Sequence, residues 1–113
     1  GVVKAVGLEV YADEACTVPL TQIDWGLLAP GENKSVACYV KSTSTMYTTL
    51  ALSVGNWVPS LAGNYILVNW DCEGAVIAPG EVFAATVTLH VDSDIQGVDS
   101  FSFDIMLSIV EAN

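Results

Sequence analysis

The sequence predicts an all-β protein, an antiparallel sandwich of about seven to eight strands, on three observations. Apolar and polar residues alternate through most of the chain, the pattern of a sheet with one buried face. No stretch repeats apolar residues at i, i+3, i+4 and i+7 for long enough to predict a long helix. A short corner also occurs twice, Ala29-Pro30-Gly31-Glu32 and Ala78-Pro79-Gly80-Glu81, each time ahead of an alternating run. Proline presets φ at the second position of a tight turn and glycine accepts φ > 0 at the third. The two copies are read as equivalent corners of one sandwich.

Taken in order, Val2–Tyr11 reads as the first strand, with Val6, Leu8 and Val10 on one face. The connection from Ala12 to Pro19 is rich in turn residues. Thr21–Leu28 reads as a short strand anchored by Trp25-Gly26 before the first corner. Ser35–Lys41 alternates Val36, Cys38 and Val40 against Ser35, Ala37 and Tyr39. After a polar turn, Tyr47–Val54 puts Leu50, Leu52 and Val54 inward. Gly55–Asn64 is expected to be a loop carrying Trp57 and Pro59. Tyr65–Cys72 aligns Ile66, Val68, Trp70 and Cys72, and Val82–Val91 aligns Phe83, Ala85, Val87, Leu89 and Val91. The final strand, Phe101–Val110, has the clearest alternation, with Phe101, Phe103, Ile105, Leu107 and Ile109 as its core face.

At 113 residues the chain suits one domain, and about 100 residues is a standard sandwich. Hydrophobic residues make up 52% and charged residues 14%, which excludes disorder and leaves little charge to cover the surface. Thirteen acidic residues face three lysines (Lys4, Lys34 and Lys41) and no arginine. Nucleic acid and anionic membrane surfaces both demand a basic footprint, so neither is an expected partner. No apolar run approaches the roughly 18 residues of a membrane span. The chain opens at Gly1 without methionine, which is expected either of a secreted protein that has lost its signal peptide or of an excised piece. Asn33-Lys34-Ser35 is a glycosylation sequon, placed at Asn33 in the turn after the first corner. The expected location is extracellular or at the cell surface.

The corner, the strand Lys34-Ser35-Val36-Ala37-Cys38-Tyr39-Val40-Lys41, the polar turn and the run Thr48–Val54 together resemble the Ig-like domains of prokaryotic cell-surface proteins. Further stretches are Val10-Tyr11-Ala12-Asp13, Cys16-Thr17, Ile23-Asp24-Trp25-Gly26, Asn56-Trp57-Val58-Pro59 and Ser100-Phe101-Ser102-Phe103-Asp104-Ile105. With these, nearly the whole chain is similar to a group of small secreted archaeal β-sandwich proteins. Some archaeal extracellular filaments are similar in kind, built from small sandwiches joined by exchanged strands. The resemblance implies an Ig-like sandwich that is a structural subunit and partners copies of itself by donor-strand complementation. On that reading residues 1–12 are a strand donated to a neighbouring subunit, through Val2, Val6, Leu8 and Val10, and residues 13–113 are the sandwich. The other reading folds the first strand into its own domain.

Three cysteines leave at least one unpaired within the chain. Cys38 and Cys72 both fall on apolar faces, so two readings stand: a disulfide between them across the sandwich with Cys16 as the odd thiol, or three separate thiols. Asp92, Asp94, Gln96 and Asp99, with Gly97 at the turn, have the spacing of a calcium loop, though Phe103 stands where a bidentate glutamate belongs. Calcium is the one cofactor to consider, against an acidic turn that is simply solvated. His90 lies on a polar face with Thr88 and Asp92, but no nucleophile motif accompanies it, so no enzyme is expected. Trp25, Trp57 and Trp70, with the four tyrosines, are either a sugar-binding platform or core and interface packing. The competing function is therefore a secreted adhesion module for carbohydrate or protein.

Overall fold

A computed structural model describes residues 2–26, 28–96, 98 and 100–111. Eight strands are present among them: β1 (Val2–Val6), β2 (Leu8–Tyr11), β3 (Asn33–Ser42), β4 (Thr48–Val58), β5 (Ile66–Trp70), β6 (Val76–Ile77), β7 (Val82–Val91) and β8 (Ser102–Glu111). They form an all-β sandwich of two four-stranded sheets, ordered β1-β8-β4-β6 and β2-β3-β7-β5. Pairing is antiparallel throughout except that β1 runs parallel to β8. One 3₁₀ turn, Ser60–Asn64, follows β4.

The two corners are equivalent, as their sequences predict. The Glu32 amide donates to the Ala29 carbonyl and the Glu81 amide to the Ala78 carbonyl, each at 3.0 Å. Gly31 and Gly80 take φ of 79° and 73°, which an L side chain resists. In the second corner the Glu81 carboxylate turns back to accept from the Ala78 amide at 2.9 Å. The corners launch β3 and β7, which then pair with each other over nine residues.

Between the sheets lies one core. Phe103, Ile105 and Leu107 of β8 are fully buried, facing Val40, Val87, Leu89 and Val91 from the other sheet. Phe101 and Ile109, at the ends of that face, are half-buried.

Three elements differ from the expectation. Val2–Tyr11 is two strands in opposite sheets, because Gly7 at φ 78° breaks the extended chain and resets its alternation. Thr21–Leu28 forms no strand among its described residues; it contributes a bridge at Gln22 and buries Ile23 and Trp25. The loop expected from Gly55 is instead strand up to Val58, carried past a register shift between Gly55 and Val58 with Asn56 at φ 56°. That bulge re-aims Trp57 towards the core.

Candidate functional site

The site is the lane occupied by β1 along the edge of β8. The pairing runs from Val2 opposite Asp104 to Val6 opposite Ser108. On its other side β1 is held only at its start, where the Val3 amide donates to the Thr21 carbonyl at 2.9 Å and Val2 bridges Gln22. Lys4 and Asp104 add an ion pair at 3.2 Å. The Asp104 carboxylate also accepts from Asn56 Nδ2 at 2.8 Å, and these two interactions, Asn56 first, hold its pKa below the usual carboxylate value.

The inner face of β1 is thinly filled. Val3 sits opposite Ile105 and Ala5 opposite Leu107, so both point to the core side, yet Val3 is only half-buried and Ala5 is exposed. Beside them opens a cleft of about 230 Å³ lined by Val3, Ala5, Glu9, Val10, Tyr11 and Leu20. Val2 and Val6 face outward, 39% and 59% exposed. The sequence places Val2, Val6, Leu8 and Val10 on one interface-forming face, and the structure corrects that grouping. Leu8 and Val10 are buried in β2, since the turn at Gly7 puts Val6 and Leu8 on opposite sides of their sheets. The inward residue of β1 is Val3, which the uninterrupted alternation had assigned to the other face.

The β6 and β2 edges of the sandwich are better closed. Beyond β6 on the β4 edge, the Leu50 amide donates to the Ala75 carbonyl, and the Glu73 carboxylate accepts both the Leu52 amide and Trp70 Nε1 at 2.8 Å. The β2 edge is covered by residues 18–20 through bonds between Ala12 and Val18 and between Leu20 and Val10. Such covering is how a sheet avoids pairing with foreign strands.

At the start of the β1 lane a groove of about 620 Å³ opens between residues 22–26 and the beginning of β8. Trp25 and Phe103 form its floor, stacked with centroids 6.3 Å apart. Lys34 Nζ donates to the Trp25 carbonyl at 2.7 Å and ties the segment to β3. Trp25 is only 5% exposed, and its Nε1 donor has no hydrogen-bond partner. Sequence reasoning named Trp25 as an aromatic anchor; nothing in the pattern could show that its indole would be left unpaired.

The aromatic residues form a packed cluster. Trp57 stacks on Phe103 at 4.4 Å and 20°, and on it lies the Gly63 backbone, where an added Cβ would come within 2.9 Å of Trp57 Cδ1. Trp70 is buried with its indole bonded to Glu73. Trp25 and Trp70 are buried and Trp57 is half-buried.

Cys38 and Cys72 are free thiols, as is Cys16. No disulfide joins Cys38 to Cys72. Cys38 is paired with Ala85 of β7, and Cys72, in the turn after β5, has its Sγ 3.7 Å from the Ala84 carbonyl. Burial, aided by the charge of Asp71, pushes both thiols up to about 11.

In the acidic loop, Asp92 Oδ1 accepts from the Asp94 amide at 2.8 Å, an ordinary turn cap. Gly97 and Asp99 lie outside the described residues, so the full set of Asp92, Asp94, Gln96 and Asp99 is not in view. Among the described residues no three His, Cys, Asp or Glu side chains gather to hold a metal. Asn33 begins β3 rather than lying in the turn, and is exposed. It pairs with His90 across the β3–β7 ladder, Oδ1 to Nδ1 at 2.6 Å, so the neighbour of His90 is Asn33 and not a catalytic carboxylate. No protein-family model matches the chain, and no curated protein matches it significantly.

Proposed function

We propose that the chain is a structural subunit of an extracellular assembly, polymerising by donation of β1 to the β8 edge of a neighbouring copy. One observation carries the reading: β1 is an edge strand with a single core-facing valine half-buried beside a cleft, joined to its own domain through one glycine. Its departure disturbs no other strand pairing, and it exposes an edge and a hydrophobic slot that an identical strand fits. A head-to-tail contact of this kind need not close and so propagates. The scarcity of surface charge suits a molecule that covers itself with copies. Two of the three tryptophans offered for a carbohydrate platform, Trp25 and Trp70, are buried in the core, which counts against that alternative.

The test is to lock β1 at home. In a Cys16→Ser background, Val2→Cys and Asp104→Cys occupy directly opposed positions, and cross-linking them within one chain keeps the fold intact. Negative-stain microscopy of the locked protein is expected to show monomers, with filaments restored when the link is cleaved. A companion lacking residues 1–6 keeps Leu8 and Val10 in the core; it is expected to stay monomeric until the missing peptide is added. Filaments from the locked protein, as abundant as from the unmodified chain, would sink the proposal.

A further inference from the structure

We infer that the outer face of the β1-β8-β4-β6 sheet is a second contact between copies of this chain. Two copies meet there face to face, with Met106 and Val110 of each lying over the small residues of β4 in the other. The contact is independent of strand donation.

Charge lies unevenly on the sandwich. Of the described acidic residues only Glu9, Asp104 and Glu111 belong to strands, and the rest occupy the connections. Glu9 is in the other sheet. Asp104, on this face, is ion-paired with Lys4 at 3.2 Å. The formal charge of −10 is thus carried mainly around the face and not on it. Copies that repel one another approach most easily where that charge is farthest away.

The relief of the face follows from the register. Leu50 and Leu107 fill alternate, inward positions and are fully buried, so Thr49, Ala51, Ser53, Met106 and Val110 point outward. Thr49 lies opposite Val76 on one side and Val110 on the other, and these valines stand out, 52% and 61% exposed. Met106 is opposite Ser53. β4 is therefore a trough of small side chains beside a ridge on β8. A two-fold axis running along the strands, between β4 and β8, lays each ridge in the trough of the other copy. Val110 then covers Thr49 of the second copy, and Met106 covers its Ser53. This self-match selects a second copy as the occupant, since each copy supplies the ridge that the other's trough lacks.

The area sets the strength. Four strands, about 4.8 Å apart and rising ~3.3 Å per residue, give the face roughly 500 Å². Two copies bury about 1,000 Å², below the ~1,200 Å² of a stable complex. The chain is therefore monomeric at the dilution of a microscopy grid and pairs when concentrated. The contact is isologous and stops at two.

Cross-linking reads it. Full-length chains carry Ser53→Cys or, on the outer face of the other sheet, Ala37→Cys, both exposed positions. All have Cys16→Ser, and the buried Cys38 and Cys72 thiols, pushed up to about 11, stay unreactive at neutral pH. With a short thiol cross-linker at about 1 mM protein, Ser53→Cys is expected to give dimers and Ala37→Cys few. Adding Val110→Glu places a charge in the contact and is expected to cut the Ser53→Cys yield about tenfold or more. Val110 is exposed, so the fold should survive, as an unchanged urea midpoint checks. Equal yields from the two cysteine positions would overturn the inference, as would a yield that Val110→Glu leaves unchanged. Absence of Ser53→Cys dimers would also overturn it, whatever else covers the face. Failure of strand donation alters none of these outcomes.

Discussion

Gly7 concentrates the tension in this molecule. It holds φ at 78°, and a Cβ there would collide with Ile109 Cγ1 and Cδ1. Gly7→Ala is expected to destabilise the closed monomer by ~1–2 kcal/mol from the backbone alone, plus whatever displacement of Ile109 costs. Because the strain exists only while β1 and β2 are both docked in one body, the same substitution should speed assembly. Urea unfolding and light scattering together check this: lost stability with unchanged assembly would separate Gly7 from strand exchange. Phe103 sits at the opposite extreme, 1% exposed between Trp25 and Trp57. Phe103→Ala should cost ~3–5 kcal/mol by burial lost and cavity made; a loss under about 1 kcal/mol in the same urea experiment would contradict its place in the core.

At the scale of elements, the sequence was readable where one face is wet and nothing interrupts the backbone. Val82–Val91 alternates cleanly and is β7 to the residue, and both Pro-Gly corners turn as their composition dictates. Legibility failed where a single residue changed the phase. Val6, Leu8 and Val10 look like one face only if the chain stays extended through Gly7. Asn56 likewise carries the chain through a bulge, so Trp57 belongs to a strand and not to a loop. Both Cys38 and Cys72 are buried as their parity suggests, but Cys72 lies in the turn after β5 and not in the strand the alternation gave it. All three thiols are expected to be alkylated after unfolding without reductant; fewer would mean that two of them are bonded. The groove was legible only as its aromatic residues, since the partner of a buried indole depends on neighbours from other elements.

The hold on β1 also has a pH dependence. Asp104 is depressed in the folded chain by Asn56 and Lys4, so its contribution is present above its unfolded value, 3.8, and is lost as pH falls through the lower folded value. Amide exchange in β1 should accelerate on acidification below about pH 4, relative to β3 and β7. Asp104→Asn should abolish that difference between strands. If β1 exchange kept the same acid dependence in Asp104→Asn, the carboxylate would not be its cause.

For the whole molecule, a formal charge of −10 sets copies of this chain against one another. Salt shortens the reach of that repulsion, to about 8 Å at physiological ionic strength. Assembly should therefore quicken as sodium chloride rises from low to near-physiological levels, measured by light scattering; slower assembly with added salt would mean that specific charge pairs, Lys4 with Asp104 foremost, outweigh the general repulsion.

The parallel course of β1 and β8 bears on mechanical load. β1 and β8 are the first and last strands, and they lie side by side pointing the same way. Tension applied at the leading end of β1 and the trailing end of β8 pulls the two strands in opposite directions along their shared axis. Such a ladder slides as a unit, its hydrogen bonds strained together, whereas an antiparallel pair pulled from its open ends peels one bond at a time. Within one molecule such a pull is carried as shear across a five-residue ladder, the orientation in which a short strand resists extraction best.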